Sequence, residues 1–210
     1  MDCNIKDSDW AQKYRPQKLE DMILPSFLFE KLKNMRDSQK GLSLLFHGKA
    51  GTGKTTAARL IHDYCYDVDC SAANSGEEVR KLDGICAGVS IWDNLRVVLL
   101  DEADYLRKPS QATLRHLIEK HSMRNLFVFT ANYPERIIAP LHSRLHPIDF
   151  SFNASDSILK ERMVKRSSEI LENESISVDI SIVKTIVREC FPDMRKVLKR
   201  LQFEFSLAEA

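Results

Sequence analysis

The segment Gly48-Lys49-Ala50-Gly51-Thr52-Gly53-Lys54-Thr55 constrains this chain more than any other. A glycine, four residues and then Gly53-Lys54-Thr55 follow the apolar run Leu42–His47 and precede a helical pattern over Thr55–Tyr64. That is the strand–loop–helix spacing of a phosphate cradle. Glycines let the backbone curl until successive N–H groups face one anion. The helix that follows turns its partly positive end to the same anion. In such a cradle Lys54 reaches the β- and γ-phosphates of a nucleotide and Thr55 holds Mg²⁺. A chance glycine-rich turn would lack the flanking strand and helix.

The pattern along the chain alternates strand and helix, which implies βαβ units and a parallel sheet covered on both faces. Val97–Leu100 is a continuous apolar run of the sort a doubly covered strand shows, and Leu126–Ala131 and Ile148–Phe152 repeat it. Tyr66–Ala72 is a further strand candidate, and Ser110–His121 the clearest helix between strands. After about Asn153 the strand signal stops. Asp156–Glu172 reads as a helix capped by Ser155 or Asp156. Asp179–Cys190 carries Ile182, Val183, Ile186 and Val187 at helical spacing. Pro192-Asp193 opens a third helix with Met194, Val197, Leu198 and Leu201. The expected architecture is an α/β P-loop nucleotide domain over 1–152 and a small three-helix subdomain over 153–210.

A length of 210 residues suits this, with 43% hydrophobic and 29% charged residues. The net charge is only +1, from 31 basic and 30 acidic residues, so any nucleic-acid surface must come from local arrangement. No apolar stretch approaches bilayer length, and Met1 to Trp10 is polar rather than signal-like, which points to a cytosolic chain and no membrane partner. The cysteines Cys3, Cys65, Cys70, Cys86 and Cys190 lack CxxC pairing. His62, Cys65 and Cys70 as metal ligands give way to reduced, mostly buried thiols.

The chemistry beyond the cradle centres on Leu99-Leu100-Asp101-Glu102-Ala103-Asp104. These residues end an apolar strand, where open α/β sheets bind ligands. Asp101 is placed to support the metal and Glu102 to polarise a water for attack on the γ-phosphate. Asn132, closing Thr130-Ala131-Asn132, is an amide that can orient that water, although asparagine after a strand is ordinarily a turn former. Arg144 in Pro140-Leu141-His142-Ser143-Arg144 and Arg195 in Phe191-Pro192-Asp193-Met194-Arg195 could meet the charge on a phosphoryl group in flight. Either could equally be a surface arginine.

Lys13-Tyr14-Arg15-Pro16, the P-loop, Asp-Glu-Ala-Asp, Thr-Ala-Asn, Ser-Arg and Pro-Asp-Met-Arg-Lys occur in an order that resembles the AAA+ ATPase subunits of sliding-clamp loaders. The chain is similar to replication factor C small subunits and to the large subunit of the T-even-type phage clamp loader. Ile23-Leu24-Pro25 and Phe191-Pro192-Asp193 suggest the phage version, and Gln111-x2-Leu114-Arg115-x3-Glu119 narrows the family. The match runs from about Trp10 to Leu207.

The resemblance implies an AAA+ fold with a central five-stranded parallel sheet and a helical lid, using ATP and Mg²⁺. It implies that Tyr14, Arg15, Pro16, Ile23, Leu24 and Pro25 border the adenine. Gly48, Gly51, Thr52, Gly53, Lys54, Thr55 and Thr56 would hold the phosphates, with Thr55 and Asp101 on the metal. Glu102, Lys54 and Asn132 (sensor 1) would serve hydrolysis, Arg144 would be an arginine finger acting on a neighbouring subunit, and Arg195 would be sensor 2. Arg80 or Lys81 would face DNA or restrain Glu102, and Gln111 and Arg115 would link DNA contact to the ATP site; a solvated helix face is the bland alternative for these four.

Two departures stand out: Leu145 replaces the usual cysteine after Ser-Arg, and the chain ends at Ala210 without a collar domain. The expectation is a fragment or natural short form that is monomeric or weakly associated alone. The implied activity is DNA- and clamp-stimulated ATP hydrolysis, the partners being other loader subunits, a sliding clamp and the phosphates of primer–template DNA. The competing readings are another AAA+ motor, such as a helicase loader or recombination-linked ATPase, and a non-catalytic nucleotide-binding scaffold.

Overall fold

The computed structural model describes residues 9–38, 43–62, 65–71, 76–88 and 96–206. In chain order these form α1 (Trp10–Lys13), α2 (Ser26–Ser38), β1 (Leu44–His47), α3 (Lys54–Leu60), β2 (Cys65–Asp69), α4 (Gly76–Ala87) and β3 (Arg96–Asp101). Then come α5 (Lys108–His121), β4 (Asn125–Ala131), α6 (Ala139–His142), β5 (His146–Asp149), α7 (Ser157–Asn173), α8 (Ile180–Cys190) and α9 (Met194–Leu201). The strands make one five-stranded sheet in the order β2-β3-β4-β1-β5, every pairing parallel. The expected α/β architecture is therefore present, with helices after the sheet.

Burial explains the order. Every residue of β4 is buried, and Val97–Leu100 of β3 are buried between two half-buried ends. Such runs belong at the centre of a sheet covered on both faces. β2 is half-exposed and β5 carries Pro147, which has no N–H to donate, so both suit edges. The register pairs Leu44 with Val128 on one side and with His146 on the other. β5 thus begins before the Ile148–Phe152 segment expected from apolar content. Its final bond is Phe150 N to His47 O (2.7 Å), which turns the chain out of the sheet.

The helix expected over Thr55–Tyr64 is shorter, ending at Leu60 with one more bond from Ile61 N to Ala57 O. Tyr64, Leu42 and Ala72 lie outside the described residues, as do Cys3 and Leu207. No helix among the described residues is long and apolar enough to cross a membrane.

The chain forms two compact units. One spans Phe29–Lys49 and Lys54–Ser151 and contains the sheet. Its core joins Leu45, Val98, Leu100, Phe127 and Phe129 to Val79 and Leu82 of α4 and Leu114, Leu117 and Ile118 of α5.

The other unit comprises the described residues up to Leu28, Ala50–Gly53, and the chain from Phe152 onward. Asp156, Asp179 and Asp193 cap α7, α8 and α9, each accepting a first-turn N–H. An acid there satisfies an orphan donor and meets the positive end of the helix, so these three boundaries are readable from sequence. The core of this unit contains Trp10, fully buried among Met163, Ile170, Val183, Ile186, Val187, Val197 and Leu201. Its backbone N–H donates to Gln202 Oε1 at 3.0 Å. Trp10→Ala should destabilise this unit by about 3–5 kcal/mol, the usual cost of deleting a buried aromatic. Urea unfolding monitored by circular dichroism, with the transitions of the two units fitted separately, measures it.

Candidate functional site

At the end of β1 the backbone must turn where no side chain fits. Gly48 has φ +139°, and a Cβ there would stand 2.8 Å from the carbonyl carbon of Phe150. Glycine alone tolerates both. Gly51 and Gly53 also have positive φ, +73° and +92°. Within its own unit the loop tip is closely packed: a Cβ on Gly51 would collide with the Asp193 carboxylate, and one on Gly53 with the Met22 methyl.

Lys54, in the first turn of α3, is only 7% exposed. Its ammonium donates to Gly48 O (2.7 Å), Lys49 O (2.8 Å) and Asn132 Oδ1 (2.8 Å). A buried cation requires such partners. Thr55 Oγ1 donates to Asp101 Oδ1 at 2.7 Å. The structure thus brings Lys54 and Thr55 of α3, which follows β1, together with Asp101 and Asn132 from the carboxyl ends of β3 and β4, strands that the sheet order sets side by side with β1. The curled loop, the buried ammonium and the paired hydroxyl and carboxylate fit a nucleotide triphosphate with its magnesium. Thr55 and Asp101 are hard oxygen donors of the kind Mg²⁺ prefers.

Glu102 has φ +56°, the left-handed region a side chain rarely adopts. It follows the last residue of β3 and turns the chain at that strand's carboxyl end. Burial, then the neighbouring charges of Asp101, Asp69 and Asp104, push its carboxyl above the usual range. That is the direction a proton-accepting carboxylate needs.

Two contributors escaped the sequence reading. Thr130 Oγ1 donates to Asp101 Oδ1 at 2.6 Å and accepts from the Glu102 N–H at 2.9 Å, so one buried hydroxyl sets both carboxylate positions. Asp104 Oδ2 accepts from Asn132 N (3.3 Å) and Tyr133 N (3.1 Å), fixing the turn that presents Asn132. The available signal was position, Thr130 standing two residues before Asn132 and Asp104 two after Glu102.

The other expected residues sit as follows. Thr52 is buried and Thr56 half-buried. Tyr14 donates its hydroxyl to Glu174, which also holds Lys13. Arg15 and Pro16 are half-buried. Leu24 is buried, and its carbonyl with that of Met22 accepts from Arg162 at 2.8 and 3.1 Å, which pins the Ile23–Pro25 segment. Arg195 is exposed in the first turn of α9. Arg144 is not joined to the Lys54 network; its guanidinium meets Glu119, Pro140 O and Ser143 Oγ.

Gln111 is 1% exposed, so the solvated-face alternative does not hold for it. Its amide donates to Leu106 O and Arg136 O and accepts from Ile138 N. Arg115 is half-buried and Lys81 exposed; the Arg80 side chain lies outside the described residues.

Residues 44–152 match the profile of the ATPase family associated with various cellular activities (AAA). The chain belongs to the AAA family of ATPases. Residues 155–208 of this AAA chain match the profile of the sliding-clamp-loader large subunit, AAA+ ATPase lid domain. A replication factor C small subunit of Methanothermobacter thermautotrophicus is 30% identical, the match covering 98% of this chain and 65% of the relative. The sliding-clamp-loader large subunit of Enterobacteria phage T4 is also 30% identical, over 94% of this chain and 65% of its own. The chain therefore spans less than two thirds of these relatives' length. RuvB of Thermotoga maritima shares the fold, with a TM-score of 0.73 at 18% identity, covering 93% of this chain and 67% of that one.

Thr130→Val keeps the shape but strips Asp101 and the Glu102 N–H of a shared partner. It should cost about 1–3 kcal/mol of stability and lower single-turnover ATP hydrolysis at least about tenfold. Thermal unfolding and rapid-quench assays on the same preparation check both effects. A raised carboxyl also predicts the acid limb of that hydrolysis rate. With Glu102 as the proton acceptor, activity should fall, as pH decreases, at a pH above the ordinary glutamate range; a pH–rate profile reads it.

Proposed function

We propose that this chain is the ATP-binding and hydrolysing part of a sliding-clamp loader, which opens a processivity clamp and places it on primer–template DNA in the cytoplasm. The observation that carries the reading is the combination of an intact hydrolytic constellation with a lid of the clamp-loader type over 155–208.

Gly48, Gly51, Thr52, Gly53, Lys54, Thr55 and Thr56 bind the phosphates, and Tyr14, Arg15, Pro16 and Ile23–Pro25 border the base. On binding, Lys54 exchanges backbone carbonyls for phosphate oxygens while staying near Asn132. Thr55 and Asp101 would hold Mg²⁺, which when bound neutralises charge on the phosphate chain. Glu102 accepts the proton of the attacking water, and Asn132 orients that water and reports the γ-phosphate. Arg195 carries the same report to the lid.

Arg144 acts as a finger on the nucleotide of a neighbouring subunit. Its partners Glu119, Pro140 and Ser143 belong to none of the groups around Lys54, which supports action in trans. A guanidinium supplied across an interface contributes about 10³–10⁵ in rate. Assembly with other loader subunits, the clamp and DNA phosphates thereby controls turnover.

The test is the ATPase rate with clamp, with primed DNA and with both. A loader is stimulated most by clamp and primed DNA together. Stimulation by DNA alone, with none from the clamp, would assign the chain to another AAA+ motor. Absence of single-turnover hydrolysis in the assembled complex would make it a scaffold. Arg144→Ala should lower stimulated turnover at least about a thousandfold with little change in nucleotide affinity; unchanged turnover removes the finger role.

A further inference from the structure

Arg144 follows α6, and its guanidinium is held on two sides. Nε donates to Glu119 Oε1 at 2.6 Å, and Nη2 meets the same oxygen. Nη1 donates to Pro140 O at 2.6 Å, with Ser143 Oγ farther off at 3.3 Å. A guanidinium carries five N–H donors in one plane. Glu119 takes the edge formed by Nε and Nη2, and Pro140 O takes one N–H of Nη1. Ser143 Oγ takes the other, so one N–H of Nη2 remains, a donor suited to a phosphate oxygen.

Glu119 stands in the last turn of α5, where Arg115 Nε lies 3.5 Å and His116 Nδ1 3.8 Å from its carboxylate. The hydrogen bond from Arg144 holds this carboxyl below its usual range. An exposed pair of this sort adds little to stability. Its effect is on direction, since a long side chain clamped by a carboxylate on one edge and a carbonyl on the other keeps one rotamer.

We infer that Glu119 is a positioning residue for Arg144: it fixes the guanidinium plane so that the remaining Nη2 N–H is held ready for a phosphate on another subunit. This rests on Arg144 being the finger. Glu119 touches no nucleotide itself, and its influence passes through Arg144 alone.

The full-length protein, assembled with its partner subunits, clamp and primed DNA, allows the test. Glu119→Gln keeps the shape and removes the charge. It should lower kcat about tenfold while leaving KM for ATP within about twofold, since misorientation affects the transition state. Glu119→Asp, which retains the charge on a shorter stem, should recover part of the loss. Thermal midpoints of both variants should match the parent. In an Arg144→Ala background, Glu119→Gln should cause no further loss by single-turnover hydrolysis.

Parent-like kcat in Glu119→Gln while Arg144→Ala is inactive would overturn the inference. So would a loss from Glu119→Gln that multiplies with that of Arg144→Ala, because the two would then act separately. Undiminished turnover in Arg144→Ala alone would instead overturn the finger reading beneath it.

Discussion

Burying the Lys54 ammonium would cost several kcal/mol without partners, and the partners it finds determine much of the sheet-bearing unit. Gly48 O and Lys49 O reach it because the loop curls back on itself. Asn132 reaches it because β4 lies directly beside β1 and ends level with it, His47 opposite Ala131. The same register carries Asp101, at the end of β3, to within a hydrogen bond of Thr55. A strand slipped by one residue would turn these side chains to the other face and cost the buried charge its Asn132 partner.

The carboxylates beside this cation are arranged by neutral groups. Thr130 gives its proton to Asp101 and takes one from the Glu102 N–H. Asp104 uses one oxygen to hold the turn bearing Asn132. Glu102 then takes a left-handed backbone and a raised proton affinity, both unfavourable for the isolated residue and useful for accepting a proton from water. Backbone strain thus falls on the carboxylate that accepts the proton.

Arg144 shows the opposite arrangement, a charged group on a partly exposed surface, oriented rather than buried. Its two clamps come from α5 and α6, and Gln111, earlier on α5, bonds the segment leading into α6. One helix therefore sets both the loops beside the acidic strand end and the direction of this arginine.

Much of this was legible in the sequence because it depends on short-range spacing. Gly48-x4-Gly53-Lys54-Thr55 specifies a loop by backbone conformation, Val97–Leu100 and Leu126–Ala131 specify buried strands by continuous apolarity, and Asp156, Asp179 and Asp193 specify helix starts by capping. What the tertiary structure decided are meetings between residues far apart in the chain. Nothing local tells that Thr130 bridges Asp101 and Glu102, that Arg162 pins Met22 and Leu24, or that Trp10 completes the lid core. Gln111 looks like a residue of a solvated helix face until the segments it bonds close over it. Periodicity and capping act within a few residues, whereas a hydrogen bond between distant side chains exists only once the sheet order and the helix packing have brought them within reach.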